Sequence, residues 1–124
     1  MKKVLVDTNF LVYCAKKRID FFEYCELNGF SVLIPEEVLR EIDNLVDSGK
    51  NSLRSDLEIV KKILSKEKYK KIFLGGRYAD SAIINFLSKN PSFFLATMDE
   101  KLQKLVKSNI LKIRGKNFEL FLDN

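Results

Sequence analysis

Histidine is absent from this chain. That removes the commonest general base, the usual zinc ligand and the histidine-pair route to phosphodiester cleavage, so any catalysis has to run on carboxylates and a metal ion. Cysteine is scarce: Cys14 and Cys25 are the only two, both in helix-like segments, without the CxxC spacing of a zinc knuckle or redox pair. They read as buried free thiols. No apolar run reaches the roughly 18 residues of a membrane span, and Asp7 and Asn9 break the N-terminal apolar stretch, which does not read as a signal peptide. The expectation is a cytoplasmic protein with no membrane partner. Repeats, linkers and low-complexity segments are also missing. The 124 residues, 46% hydrophobic and 31% charged, fit a single domain spanning residues 1–124 with a real core.

What is abundant is positive charge. The formal net charge of +5 points to an anionic partner, with nucleic acid the leading candidate. Lys61, Lys62, Lys66, Lys68, Lys70 and Lys71 crowd one stretch in which Glu67 is the only acid, and Lys101, Lys104 and Lys107 recur at helical spacing. Such a run is commonly a solvated helix face. Beside an acidic metal site it would hold phosphates.

The apolar pattern alternates between short strands and helices. Val4 to Val6 reads as a buried strand and Thr8 to about Lys17 as a helix that Asp7 is placed to cap. Arg18 to Leu27 reads as a second helix stopped by Asn28-Gly29. Ser31 to Ile34 is a second strand, after which Pro35 suits the first helical position and Val38, Leu39, Ile42, Leu45 and Val46 form a stripe. The Asp47-Ser48-Gly49-Lys50-Asn51 cluster ends that helix, and Leu53 to about Leu64 resumes. Ile72 to Leu74 is a short extended piece before Gly75-Gly76. Tyr78 to Ser88 is helical, Phe93 to Thr97 a strand, Glu100 to about Lys107 a helix and Ile110 to Ile113 another strand. Asn117 to Leu122 suits a short helix or an edge strand equally. Strands alternating with helices imply an α/β fold whose parallel sheet is covered on both faces. Phe10, Phe21, Phe22, Phe30, Phe86, Phe93 and Phe94 fall at core spacing.

Four acids stand out in this pattern: Asp7, Glu41, Asp80 and Asp99. Each follows a strand-like run or sits in a helix-like stretch, and in sheets of mostly parallel strands such positions converge on the crevice beyond the strands' carboxyl ends. Carboxylates gathered there repel one another unless a cation neutralises them, and a hard divalent metal does so. Each acid has a plainer reading. Asp7 and Asp99 suit helix caps, Glu41 suits a surface position, and Glu37, one turn earlier on nearly the same side, is its rival as a ligand. Asp80 shares a face with Ile83, Ile84 and Leu87, and an acid on a core-facing stripe needs a partner. Arg77 either reaches substrate phosphate or pairs with a nearby acid.

Val6-Asp7-Thr8-Asn9-Phe10-Leu11, Val38-Leu39-Arg40-Glu41-Ile42, Tyr78-Ala79-Asp80-Ser81-Ala82-Ile83 and Ala96-Thr97-Met98-Asp99, in this order, resemble the PIN domain of metal-dependent ribonucleases over nearly the whole chain. The resemblance implies a three-layer domain with a central, mainly parallel sheet of four or five strands flanked by helices. It implies an acidic pocket in which Asp7, Glu41, Asp80 and Asp99 hold one or two Mg²⁺ or Mn²⁺ ions. Thr8 or Asn9 and Thr97 match small polar positions that orient metal-bound waters. Glu100 is the nearest match to a fifth acid carried by some members. The implied products carry a 5′ phosphate and a 3′ hydroxyl, and the implied partners are RNA, a second copy of the chain, and an antitoxin or a ribosome-assembly factor.

Three functions follow as expectations. The first is an endoribonuclease, in ribosomal-RNA maturation or as the toxin of a toxin-antitoxin pair. The second is a binding module of the same fold with little turnover, against which the four acids argue. The third is a phosphate-handling sheet protein. A response-regulator receiver pairs two adjacent acids after its first strand where this chain has Asp7 alone. A haloacid-dehalogenase-like phosphatase needs an acid where this chain has Asn9.

Overall fold

The computed structural model of the protein describes residues 2–48, 51–114 and 117–121. The first strand, β1 (Lys2–Val6), buries Val4, Leu5 and Val6 in succession, the pattern of a strand covered on both faces. Helix α1 (Thr8–Lys17) follows directly, its N-terminus capped by Asp7, whose Oδ1 accepts the Phe10 N–H at 2.9 Å.

Here the structure departs from the expected second helix. Arg18 closes α1 in the left-handed region at φ 56°, and Asp20 caps a later start, so α2 runs over Phe21–Asn28 until Gly29 at φ 74°. Strand β2 (Phe30–Pro35) then leads into α3 (Glu36–Asp47). Pro35 is the last strand residue and stands one position ahead of the first helical turn it was expected to open, because its ψ of 139° is extended. The expected stop after α3 lies partly outside the described residues.

Helix α4 (Asn51–Lys66) and strand β3 (Lys70–Ile72) precede a loop that ends at α5 (Ala79–Lys89). Strand β4 (Phe94–Ala96), α6 (Glu100–Leu105) and β5 (Asn109–Arg114) continue the alternation, and β6 (Asn117–Phe121) resolves the last segment as a strand rather than a helix.

The sheet has six strands in the order β3-β2-β1-β4-β5-β6, parallel except for β6, one strand more than the upper expectation. Val4 is in register with Val32 on one side and Phe94 on the other. The chain leaves β1 in one direction through β2 and β3, then returns to the far side of β1 at β4. The reversal opens a crevice between β1 and β4 at their carboxyl ends, where ligands bind in open α/β sheets. Helices α1, α3 and α4 pack on one another, while α5 packs on α3 and α6.

Phe10, Phe21, Phe22, Phe30 and Phe94 are buried as expected, with Phe10 and Phe21 edge-to-face at 4.9 Å. Tyr24 stacks on Phe118 at 4.0 Å, fastening β6 to the α2 side of the core. Cys14 and Cys25 are buried free thiols, each pushed up to about 12 chiefly by burial, so neither is a nucleophile at neutral pH. Among the described residues no helix is long and apolar enough to cross a membrane.

Candidate active site at the carboxyl ends of the strands

Asp7 and Asp99 come from the two central strands, β1 and β4, and one side chain joins them. Thr97, fully buried, donates its hydroxyl to Asp7 Oδ2 at 2.5 Å and accepts the Asp99 N–H at 3.0 Å. The ladder supports this link, since the Asp7 N–H bonds Ala96 O and the Thr97 N–H bonds Leu111 O, each at 3.2 Å. Asp99 in turn caps α6, its Oδ1 accepting the N–H groups of Lys101 at 2.9 Å and Leu102 at 3.2 Å. Both acids therefore have the capping role that was the plainer alternative. Capping uses one oxygen of Asp99 and leaves the other without a hydrogen bond among the described residues.

Asp7 is only 3% exposed, and its carboxyl is raised from 3.8 to about 6. Burial is the main cause, partly offset by the Thr97 and Phe10 hydrogen bonds and reinforced by the charges of Asp80 and Asp99. Asp80 is also raised, by desolvation first and then by Glu41 and Asp99. The acids are thus linked in sequence, Asp80 and Asp99 acting on Asp7, and Glu41 and Asp99 on Asp80. Neither ion pair among the described residues, Arg54–Glu58 or Lys61–Asp43, involves any of them.

The two helix-borne acids differ from their sequence reading. Asp80 is exposed, not core-facing: it sits in the first turn of α5, while Ile83 and Leu87 farther along the helix are buried. Glu41 is exposed on α3 and near enough to raise Asp80. Glu37, its rival, is buried and already occupied. Its Oε1 accepts the Leu74 N–H at 3.2 Å, and its Oε2 accepts those of Gly75 at 2.9 Å and Gly76 at 3.0 Å. Burial alone would raise this carboxyl, but the backbone donors outweigh it and hold it below its ordinary value.

Glu37 is therefore an anchor for the β3–α5 loop, and Arg40, which the sequence reading did not single out, is a second. Its guanidinium donates to the carbonyls of Gly76 and Arg77, both at 3.2 Å. Gly75, at φ 87°, lets the loop turn its N–H groups inward. Gly76 is packed so tightly that a Cβ would overlap Ala82 Cβ on α5. Gly76→Ala should accordingly cost about 1–3 kcal/mol in chemical denaturation and reduce activity by displacing α5 with Asp80; an unchanged midpoint would show that the contact yields.

Of the remaining candidates, Thr8 is buried and its hydroxyl has no hydrogen-bond partner among the described residues, whereas Asn9 is exposed. Arg77 stands over the Tyr78 ring at 5.7 Å and pairs with no acid among the described residues. Lys62, Lys66, Lys68, Lys70 and Lys71 are all exposed, the face expected of a basic run, and Lys61 pairs with Asp43 at 3.1 Å.

The donor set tests which metal the crevice suits. Its free donors are carboxylate oxygens, without imidazole or thiolate nearby, which fits Mg²⁺ or Mn²⁺ and not zinc. Among the described residues no group of three acids or cysteines is placed to hold a metal ion by itself. The arrangement fits an ion that keeps much of its water, as magnesium does.

Comparison with known proteins places this geometry in a family context. Residues 4–116 match the model of a PIN-like domain. Ribonuclease VapC4 of Methanocaldococcus jannaschii is 33% identical across 98% of this chain and 98% of its own length. The rRNA-processing protein fcf1 of Schizosaccharomyces pombe is 27% identical across 90% of this chain, which spans 55% of that protein. Among solved structures, the PIN domain endonuclease Utp24 superposes with a TM-score of 0.77 at 23% identity, covering 98% of this chain and 93% of the other. VapBC2 from Rickettsia felis gives 0.57 at 16% identity over 89% of this chain and 98% of that one.

Proposed function

This chain belongs to the PIN-like domain family, and from that premise we propose that it is an endoribonuclease, hydrolysing RNA phosphodiesters with Mg²⁺ or Mn²⁺ held by Asp7, Glu41, Asp80 and Asp99. One observation carries the reading. Four acids linked through the charges acting on Asp7 and Asp80, whose carboxyls are both raised, have no cationic partner among the described residues. A fold that needed these residues only for packing would gain nothing from such repulsion. Ribonuclease VapC4 and the rRNA-processing relative supply the substrate class, RNA.

A bound divalent ion supplies an activated water and neutralises charge at the scissile phosphate. The chain's own residues do the rest. Thr97 fixes the spacing of Asp7 and Asp99 through its two hydrogen bonds. Glu37 and Arg40 fix the loop from which Asp80 is presented, opposite Glu41 on the helix that carries both anchors. Thr8, whose buried hydroxyl has no protein partner, is the better candidate than exposed Asn9 to orient a water beside Asp7.

The test is cleavage of a mixed set of end-labelled RNAs in Mn²⁺ or Mg²⁺, with EDTA and Asp80→Asn as paired controls. Cleavage should stop in EDTA and fall roughly 100-fold or more in the variant. Turnover that survives both controls, or an absence of metal binding by calorimetry, refutes the reading. Two settings share this chemistry, ribosomal-RNA maturation with assembly factors and a toxin held by an antitoxin. Growth arrest on expression without a partner identifies the toxin, and co-purification with pre-ribosomal RNA identifies the processing enzyme.

A further inference from the structure

Two aromatic side chains in the loop that leads to Asp80 are turned outward. Phe73 is 66% exposed and Tyr78 67%, whereas Phe10, Phe21, Phe22, Phe30 and Phe94 are buried and the partly buried Tyr13, Tyr69, Phe86 and Phe93 pack against the core. Both lie in the loop between β3 and α5, and Tyr78 precedes Asp80 by two residues. Exposed rings scattered singly need no explanation, but two within six residues of the one loop that leads to Asp80 do.

The loop is also held in place. Glu37 binds its N–H groups at Leu74, Gly75 and Gly76, and Arg40 binds its carbonyls at Gly76 and Arg77. These bonds keep the backbone from rolling over to bury its rings. Arg77 lies against the Tyr78 ring at 5.7 Å with no acid paired to it among the described residues, so a cation stands beside the aromatic surface.

We propose that residues 73–78 form a stacking platform for unpaired nucleotides, with Phe73, Arg77 and Tyr78 the residues by which this chain holds a single strand for the neighbouring acids. Tyr78 stacks the base next to the scissile phosphate, Phe73 stacks a base farther along the strand, and Arg77 meets a phosphate between them. Base-paired RNA offers its edges and backbone but keeps the faces of its bases covered, so an exposed ring gains only from an unstacked base. Charge favours RNA over a protein occupant, since the platform adds Arg77 to a chain of net charge +5 and adjoins a site for phosphodiester chemistry. The substrate assignment rests on the endoribonuclease reading; the binding surface is testable without it.

The experiment is fluorescence anisotropy in EDTA, where cleavage is off, with a labelled mixed-sequence single-stranded oligoribonucleotide and a hairpin of matched length. The wild-type chain should bind the single strand more tightly than the hairpin. Tyr78→Ala and Phe73→Ala should each weaken single-strand binding by roughly 5- to 100-fold and leave hairpin binding nearly unchanged, and Tyr78→Phe should restore it. Because both side chains are exposed, thermal melts should match the wild type, and Tyr78→Phe keeps the test valid if an alanine variant does not fold. Equal binding by the alanine variants, equal affinity for hairpin and single strand, or no RNA binding at all overturns the platform. Metal-dependent cleavage of the same oligonucleotide by the wild type separates the two readings. If cleavage is present while the variants bind normally, the platform alone fails. If cleavage is absent while stacking is lost in the variants, the endoribonuclease reading alone fails.

Discussion

Asp7→Asn should make the metal-free protein more stable at pH 7 while abolishing its activity. The wild-type carboxyl titrates at about 6 in the folded chain against an ordinary 3.8. Its folded value is raised, so between these two pH values the folded state holds a proton that the unfolded state has released, and stability falls as pH rises across the window. A difference of about two pH units corresponds to about 3 kcal/mol at neutral pH. Asparagine carries no charge, its side-chain oxygen can still accept the Phe10 N–H, and its amide can donate to Thr97. The expected result is a melting temperature about 3–10 °C higher than wild type at pH 7, an advantage that shrinks towards nothing near pH 4. Millimolar Mn²⁺ should raise the wild-type melting temperature by mass action and leave the variant nearly unmoved. A variant less stable than wild type at pH 7 would mean that Asp7 serves the fold before it serves a cation.

Glu37→Gln should do the reverse, lowering stability first and activity through it. The carboxylate accepts three backbone N–H groups, and an amide must turn its NH₂ towards at least one of them. Hydrogen bonds to a charged group contribute about 1.5–3 kcal/mol each and are only partly replaced by water, so a loss of about 2–4 kcal/mol in urea denaturation is expected. Because the Glu37 carboxyl is held below its ordinary 4.5, the stability it contributes is present above that value and lost as the pH falls through the folded one. The wild type should therefore lose this contribution in acid, and the variant should lack that part of the acid transition. The Mn²⁺ concentration for half-maximal cleavage should rise, since Asp80 is presented from the loop that Glu37 ties down. A variant that loses stability with an unchanged Mn²⁺ requirement would show that the loop does not position the acids.

The contrast between Glu37 and Glu41 shows where a sequence stops being legible. Helical spacing sets both on nearly the same side of α3, and no local pattern says which is free. The answer lies in a loop 37 to 39 residues away whose inward N–H groups claim Glu37. Gly75-Gly76 was the visible trace of that loop, but a glycine pair does not name its acceptor. Asp80 was misread for a related reason: periodicity sets it on the stripe of Ile83 and Leu87, yet it stands in the first turn of α5, where it is exposed while those two are buried. Short-range signals fared better. The Val4-Leu5-Val6-Asp7 step from strand to capped helix is present as read, because an apolar run and a side-chain cap are both decided within four residues. Arg18 in the left-handed region and the antiparallel pairing of β6 had no such cue.

The bond from Thr97 to Asp7 spans 90 residues of sequence. Synthesis runs from the N-terminus, and β1 cannot be completed by β4 until residues 94–99 have left the ribosome. Until then Asp7 has neither Thr97 to orient it nor Asp99 beside it. A site divided between the ends of the first and fourth strands thus cannot assemble before both have been made, so whatever chemistry it performs begins only once the sheet has closed around β1.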